Sequence, residues 1–180
     1  MKMQSHRQAS GLAYVAIGSN LGDSISNVRL AMERLRELSS QPLRQSSLWR
    51  TTPKECPPGS PMFVNAVVAL APCGGLTPES LLVKLHALEK EFGRRPRKVV
   101  NEPRLLDLDL IAFGTERRST PELTLPHPRA HKRRFVLQPL SEIAPDLILP
   151  SQTKSVRQLL NEVHSDETVT RIAPGASESS

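Results

Sequence analysis

The chain has 180 residues, of which 38% are hydrophobic and 23% charged, and this supports one domain with its own apolar core. Aromatic residues make up only 3% of the chain, which excludes a binding surface built mainly on stacked rings. The formal net charge of +6 indicates an anionic partner, either nucleic acid or a phosphorylated small molecule.

The two ends of the chain and its cysteines suggest a cellular compartment. The N-terminal segment has no signal-peptide core, and no apolar run is long enough to cross a membrane. Cys56 and Cys73 do not have the spacing of a zinc site or of a disulfide framework. We therefore expect a protein of the reduced cytoplasm, with flexible tails at 1–10 and 174–180 around a single domain at 11–173.

The first half of the chain predicts a strand, a helix and a second strand. Residues 12–17 are an apolar run that ends in a Gly-Ser-Asn turn. Asp23 or Ser24 can cap the helix that follows, whose apolar residues recur at helical spacing: Ile25, Val28, Met32, Leu35 and Leu38. Residues 43–50 are predicted as a strand, although their alternation is imperfect.

Two long loops interrupt the regular elements in the middle of the chain. Residues 51–61 contain four prolines, and residues 94–104 are strongly basic. Loops of this length in a compact domain are usually functional. Between them we predict a strand at 63–71, with Asn65 as its one polar residue, and a helix that begins at Thr77-Pro78.

The order of elements predicts the fold class. A strand at 105–113 follows the basic loop, and a short helix is expected around 156–163. The resulting order is β-α-β-β-α-β with a C-terminal extension, the pattern of a ferredoxin-like fold. We therefore predict an α+β protein with helices packed on one sheet.

The strand at 105–113 carries two acidic residues, Asp107 and Asp109, among apolar ones. Side chains two apart on a strand point the same way, so both carboxylates share one face, about 7 Å apart. A desolvated carboxylate needs a counter-charge or a metal ion. This spacing suits Mg²⁺, which takes a few carboxylates and completes its shell with water and phosphate oxygens. The alternative is a solvated strand face, and the pair alone does not decide between them.

Basic side chains bracket this acidic pair in the preceding loop and in a later segment: Arg94, Arg95, Arg97, Lys98, Arg104, His127, Arg129, Lys132, Arg133 and Arg134. Most charge runs are only solvated surfaces. Carboxylates for a metal ion beside arginines for phosphate oxygens are, however, what phosphoryl transfer requires. The chain has no P-loop and no protein-kinase motif. His131 is interpreted as a surface residue.

Five segments together resemble the 6-hydroxymethyl-7,8-dihydropterin pyrophosphokinase family of folate biosynthesis. They are AYVAIGSNLGD, SSLWRTTP, FVNAVVAL, PRLLDLDLIAFG and LTLPHPRAHKRRFVLQPLSEIAPDL, which occur in the family's order. The resemblance covers about 12–150. It implies transfer of pyrophosphate from MgATP to the pterin hydroxymethyl group with release of AMP, and two Mg²⁺ ions bridged by Asp107 and Asp109.

The resemblance also implies a role for each matching position. Arg94 and Arg104 resemble catalytic, phosphate-contacting arginines, and the ATP-binding residues implied are Glu89, Arg97, Lys98, His127 and Arg133. Thr51, Thr52 and Pro53 would close the pterin pocket. Asn65 would bind the polar edge of the pterin, and the rings of Phe63 and Phe135 would sandwich it.

The chain departs from the family in the basic loop. Pro96 stands where many members have arginine, Val100 where some have another arginine, and Asn101 where some have a tryptophan over the substrate. The departures bear on substrate affinity and loop closure, since closing loops exclude water from a site. ATP and the pterin are the expected partners of a monomer, without nucleic acid or membrane.

Two other functions fit parts of the sequence. A ferredoxin-like RNA-binding module would suit the net charge, but such sheets expose stacking aromatics where this chain has two aspartates. A metal-dependent phosphohydrolase could use the same aspartate pair and would release phosphate without requiring ATP.

Overall fold

The computed structural model describes residues 11–96 and 98–178. In this part of the chain the strands are β1 (Ala13–Ser19), β2 (Arg44–Gln45), β3 (Trp49–Thr51), β4 (Phe63–Leu70), β5 (Asp107–Phe113), β6 (Arg118–Ser119), β7 (Thr124–Leu125) and β8 (Val169–Arg171). The helices are α1 (Ser24–Arg36), α2 (Pro78–Glu91), α3 (Arg134–Ile143) and α4 (Val156–Glu162), with a 3₁₀ turn at Ala130–Lys132.

One antiparallel sheet has the strand order β5-β1-β4-β3-β8, and β2 also pairs with β4. Without β8, this is the order expected for the predicted β-α-β-β-α-β pattern, so the ferredoxin-like α+β prediction is confirmed. β6 and β7 form a separate hairpin. No helix in the described ranges is both long and apolar enough to span a membrane.

Helix caps and strand alternation act as the sequence predicts. The Asp23 carboxylate accepts a hydrogen bond from the Ser26 N–H at 3.0 Å and starts α1. Thr77 and Ser80 form a reciprocal capping box at the start of α2, where Pro78 occupies the first turn. Both helices begin where these caps satisfy backbone N–H groups that have no partner within the helix.

The predicted strand at 43–50 is wrong as one element, because two short strands replace it. The Ser46 hydroxyl accepts the Val67 N–H at 2.9 Å, in a position that a backbone carbonyl would occupy in a regular ladder. The Ser46 N–H still donates to the Val67 carbonyl at 3.0 Å. Pairing therefore breaks at Ser46 and resumes at Trp49.

Helix α3 is absent from the sequence-based assignment, which left residues 123–140 without a helix. Pro139 lies inside α3 and lacks the N–H that would donate to the preceding turn, so the segment looks unfavourable for a helix. Its apolar residues still have helical spacing, and Val136, Leu137 and Leu140 are almost completely buried. Burial of this stripe outweighs one missing hydrogen bond.

The sheet is covered on both faces. Helices α1 and α2 pack on one face and form the first core with alternate residues of β1, β4 and β5. Helices α3 and α4 pack on the other face and form the second core, which includes Tyr14, Val67 and Ile111. The candidate site lies on this second face, beside the N-terminal end of α3.

The predicted tails fall partly outside the described residues, namely at 1–10 and 179–180. Of the C-terminal stretch, Ala176 packs against the first core, and Arg50 and Glu178 form an ion pair at 3.7 Å. The domain limits of 11–173 stay a prediction.

Candidate active site

A cavity of about 370 Å³ lies over the second face of the sheet, where β1, β3, β4 and β5 meet the segment before α3. Ten of the site residues predicted from the sequence line it: Thr51, Thr52, Phe63, Asn65, Arg104, Asp107, Asp109, His127, Arg133 and Phe135. Acidic and basic groups thus share a cavity with residues expected to bind a flat polar ring.

Asp107 and Asp109 project from β5 towards this cavity. In the sheet register Asp107 is opposite Gly18 of β1, and Asp109 is opposite Ala16. Leu108 and Leu110 point the other way and are 3% and 4% exposed in the first core. The two carboxylates therefore share one face, as the alternation along the strand predicts.

The electrostatics of the aspartate pair favour a bound cation. Burial and then the charge of Asp107 raise the pKa of Asp109 to about 6, although nearby arginines oppose this rise. Arg104 contacts the pair most closely, since its Nη1 lies 2.9 Å from Asp107 Oδ1. A cation between the two carboxylates would stabilise the charged form of Asp109, which burial and the Asp107 charge disfavour.

The two carboxylates of Asp107 and Asp109 suit Mg²⁺ better than they suit a metal ion whose ligands all come from protein side chains. Within 11–96 and 98–178, no three His, Cys, Asp or Glu side chains are grouped closely enough to hold a metal ion. Two carboxylates leave most of an octahedral shell to water and to phosphate oxygens of a substrate. Asp107 and Asp109 therefore fit the role that the sequence analysis gave them.

Glu89 lies beneath the aspartates and does not line the cavity. Its side chain is 1% exposed, and its Oε1 accepts the Leu108 N–H at 2.8 Å. Arg94 forms a close ion pair with Glu89 Oε2, and its Nη1 also lies 3.8 Å from Asp107 Oδ1. Burial raises the pKa of Glu89 to about 7. Glu89 therefore holds β5 and Arg94 in position, at a distance from the cavity surface.

His127 is fixed at the cavity wall as a neutral imidazole. The backbone N–H of His127 donates to the Ile111 carbonyl at 2.8 Å, which attaches the segment to β5. Its Nδ1 accepts the Arg129 N–H at 3.2 Å, so in the neutral ring the proton is on Nε2. Burial, followed by the charges of Arg133 and Arg129, lowers the pKa of His127 to about 4. His127 thus offers a neutral donor near pH 7.

A basic surface continues beyond His127. Arg133 occupies the N-cap position of α3, and its guanidinium lies over the Phe135 ring at 5.5 Å, a cation–π distance. Burial and then the Arg129 charge lower the pKa of Arg133. Arg129 and Lys132 also line the cavity. This wall presents several cations to an anionic ligand.

The opposite wall is built around Asn65. Its Nδ2 donates to Thr51 Oγ1 at 2.6 Å, which joins β4 to β3 in the buried sheet. A Cβ atom on Gly18 would lie 3.0 Å from Asn65 Oδ1 and 3.7 Å from the Phe63 ring. Glycine at position 18 therefore leaves the space in which the Asn65 amide faces the cavity.

The two long loops meet at the cavity. Asn101 Nδ2 donates to the Glu55 carbonyl at 2.7 Å, and both residues line the cavity. Both have left-handed backbone conformations, with φ of 56° and 54°. The loops that the sequence indicates as functional are thus linked through the Asn101 side chain.

Some predicted site residues lie elsewhere. Pro53, Glu89, Arg94 and Lys98 do not line the cavity, and Arg97 lies outside the described residues. The sequence analysis missed several lining residues: Ala16, Ile17, Gly18, Lys54, Glu55, Cys56 and Ala66. The length of the 51–61 loop was a signal for Lys54, Glu55 and Cys56, whereas Gly18 becomes apparent only from the sheet register.

The covered sheet argues against the RNA-binding alternative. Both faces carry helices and a buried core, so a sheet face for stacking bases is not open in the described ranges. A ferredoxin-like domain with paired carboxylates and arginines in one cavity defines the chain as an enzyme of the phosphate-transferring class.

The particular family follows from comparison with known proteins. Residues 14–145 match the family model described as 7,8-dihydro-6-hydroxymethylpterin-pyrophosphokinase (HPPK), and the chain belongs to this family. Its members transfer pyrophosphate, so the prediction of a pyrophosphokinase is confirmed.

Similar proteins include enzymes named 2-amino-4-hydroxy-6-hydroxymethyldihydropteridine pyrophosphokinase. The one from Synechocystis sp. is 37% identical over 163 residues, 91% of this chain and 81% of that protein. The one from Pseudomonas aeruginosa is 39% identical over 137 residues, 76% of this chain and 83% of that protein.

The solved structures most similar in fold include the HPPK-DHPS of Plasmodium falciparum, with a TM-score of 0.69 at 13% identity. At this identity the match shows the fold alone. It covers 84% of this chain, which spans only 45% of that longer protein.

Proposed function

We propose that this chain transfers pyrophosphate from ATP to the hydroxymethyl group of 6-hydroxymethyl-7,8-dihydropterin, as a step of folate biosynthesis. The hydroxymethyl oxygen attacks the β-phosphorus of ATP, and the bond from that phosphorus to the α–β bridging oxygen breaks. AMP leaves with that oxygen, the pterin keeps the two transferred phosphates, and the hydroxyl proton passes to solvent. The observation that carries the proposal is the single cavity shared by the aspartate pair, the cationic wall and the Asn65 wall.

The aspartate side of the cavity is assigned to the triphosphate. When bound there, two Mg²⁺ ions on Asp107 and Asp109 would neutralise phosphate oxygens and align the transferred group. Arg104 donates a hydrogen bond to Asp107, and the planar guanidinium has further N–H groups that can donate to phosphate oxygens. His127 donates from its neutral Nε2, and Arg133 adds a fixed positive charge.

The Asn65 side is assigned to the pterin. The Asn65 amide has an acceptor and donors for the polar edge of the ring, and its bond to Thr51 fixes its orientation. Phe63 and Phe135 supply apolar surface in the same cavity. The loops joined by Asn101 and Glu55 limit access of water to the reacting phosphate. The proposal includes a cytoplasmic monomer that binds neither nucleic acid nor membrane.

The test is AMP formation from ATP with and without the pterin. We expect AMP only when both substrates and Mg²⁺ are present, and none after EDTA is added. Release of inorganic phosphate without the pterin would favour a phosphohydrolase. Intact ATP under all conditions, together with absent pterin binding, would contradict the proposed function.

A further inference from the structure

The strand β8 lies beyond residues 14–145, the part of the chain that matches the family. It pairs with β3, so that Trp49 is opposite Arg171 and Thr51 is opposite Val169. Strand β3 has only three residues and would otherwise be the edge of the sheet at this point. A short edge strand with one neighbour is weakly fixed.

The pairing continues past β3 into the loop that lines the cavity. The Thr52 N–H donates to the Thr168 carbonyl at 3.2 Å, and the Thr168 N–H donates to Thr52 Oγ1 at 3.1 Å. Thr51 is the acceptor for the Asn65 amide. Main-chain groups of the C-terminal segment thus hold Thr52 at the cavity wall, and the neighbouring Thr51 lies opposite Val169 in the sheet register.

A side-chain network also joins β8 to α3. Arg171 Nε donates to Ser47 Oγ at 2.8 Å, and Ser47 Oγ donates to Glu142 Oε2 at 2.9 Å. Glu142, on α3, also accepts from Trp49 Nε1 at 2.6 Å. Helix α3 carries Phe135, which also lines the cavity. The network therefore relates the positions of two cavity walls.

We infer that the C-terminal segment 168–171 positions the pterin-binding wall of the site. Thr168 and Arg171 are positioning residues, which act through Thr52, Ser47 and Glu142 without contacting substrate. Asp107 and Asp109 lie on β5, and the backbone N–H of His127 is bonded to Ile111 of the same strand; among the described residues no hydrogen bond joins them to 168–171. Loss of the segment's contacts should therefore weaken pterin binding and spare ATP binding. The inference rests on the proposed function.

The test compares two substitutions at Thr168 in the full chain. Thr168→Pro removes the N–H that donates to Thr52, whereas Thr168→Ala keeps that N–H and the carbonyl. We expect Thr168→Pro to raise the KM and Kd for the pterin about tenfold, the effect of losing roughly one hydrogen bond. The KM for ATP should stay within about twofold, and Thr168→Ala should behave like the unaltered chain.

A second substitution tests the role of the segment if the Thr168→Pro variant does not fold. Arg171→Met removes the guanidinium bonded to Ser47 at an exposed position and is expected to raise the pterin KM several-fold at unchanged ATP KM. Unchanged constants, or equal increases for both substrates, would overturn the role of the segment. Inactivity of the unaltered chain with both substrates would instead refute the proposed function, so the two failures are distinguishable.

Discussion

Glu89 accepts a 2.8 Å hydrogen bond from the backbone N–H of Leu108, the residue between Asp107 and Asp109. A buried carboxyl group of α2 thus fixes the strand that presents both aspartates. The same group pairs with Arg94, which also approaches Asp107. The acid that family resemblance places near the nucleotide acts on the site from beneath the sheet.

The raised pKa of Glu89 predicts that the stability of the fold depends on pH. Its folded pKa of about 7 lies above the ordinary value of 4.5, so the folded state binds this proton more tightly. The resulting stabilisation is complete below pH 4.5 and is lost as pH rises through 7. As pH rises through this window, the free energy of unfolding of the unaltered chain should therefore fall by up to about 3 kcal/mol relative to that of the Glu89→Gln variant.

Urea unfolding at several pH values measures this difference. The matched control is Glu33→Gln on the exposed side of α1, which should run parallel to the unaltered chain. If the unaltered chain and Glu89→Gln differed in free energy of unfolding by the same amount from pH 4.5 to 7.5, burial would not shift the pKa of Glu89.

Asp107→Asn and Asp109→Asn should each lower pterin-dependent AMP formation at least a hundredfold, since an amide is a poor Mg²⁺ ligand and carries no charge. Asp109→Asn should not reduce stability, because the buried carboxylate is already unfavourable when charged. Steady-state rates and thermal unfolding check both effects, with the exposed Asp146→Asn as control. Ordinary rates at millimolar Mg²⁺ in either variant would refute the metal role.

Asn65→Ala should raise the Kd for the pterin by roughly tenfold to a hundredfold, because it removes polar contacts from a buried wall. ATP binding should change little, since Asn65 lies on the wall assigned to the other substrate. Separate titrations with each ligand, using a nonhydrolysable ATP analogue, provide the measurement. Equal weakening of both ligands would mean that the two subsites are wrongly assigned.

Gly18→Ala tests the space beside Asn65. The new methyl group would lie 3.0 Å from Asn65 Oδ1 and displace the amide, so the pterin KM should rise about tenfold with the fold intact. Gly74→Ala is the matched control, because no atom lies within 4 Å of its Cβ position. An unchanged pterin KM for Gly18→Ala would show that the amide position is not critical.

His127 should not contribute an ionisation to the activity profile near neutrality. Its pKa of about 4 keeps the ring neutral above pH 6. Because this pKa lies below the ordinary value of 6.5, the folded state binds the proton less tightly than the unfolded state, and the free energy of unfolding falls as pH falls from 6.5 through 4. His127→Gln should raise the KM for ATP about tenfold, while the profile of kcat/KM against pH keeps its shape from pH 6 to 8. An inflection near 6.5 that disappears in the variant would contradict a neutral His127.

Local patterns predicted much of this molecule because they depend on neighbours in the chain. The caps at Asp23 and Thr77 and the shared face of Asp107 and Asp109 follow from spacing alone. The contact between Asn101 and Glu55 does not, because 46 residues separate the two partners.

Other features were missed because distant packing overrides local preference. Helix α3 tolerates Pro139 because its apolar stripe is buried, and β8 exists only because β3 offers an open edge. The position of Glu89 beneath β5 also required the packed structure, since its helix pattern indicated only a residue of α2.

The two-faced sheet has a consequence for biosynthesis. A nascent chain that has emerged through residue 113 contains β1, β4 and β5 and both aspartates. It also contains α1 and α2, the two helices of the first core. Tyr14, Val67 and Ile111 would then face water until α3 and α4 arrive. Such an exposed apolar face is what chaperones bind. The chain therefore acquires Asp107 and Asp109 before α3 and α4, and the complete wall of its cavity only after synthesis has passed β8.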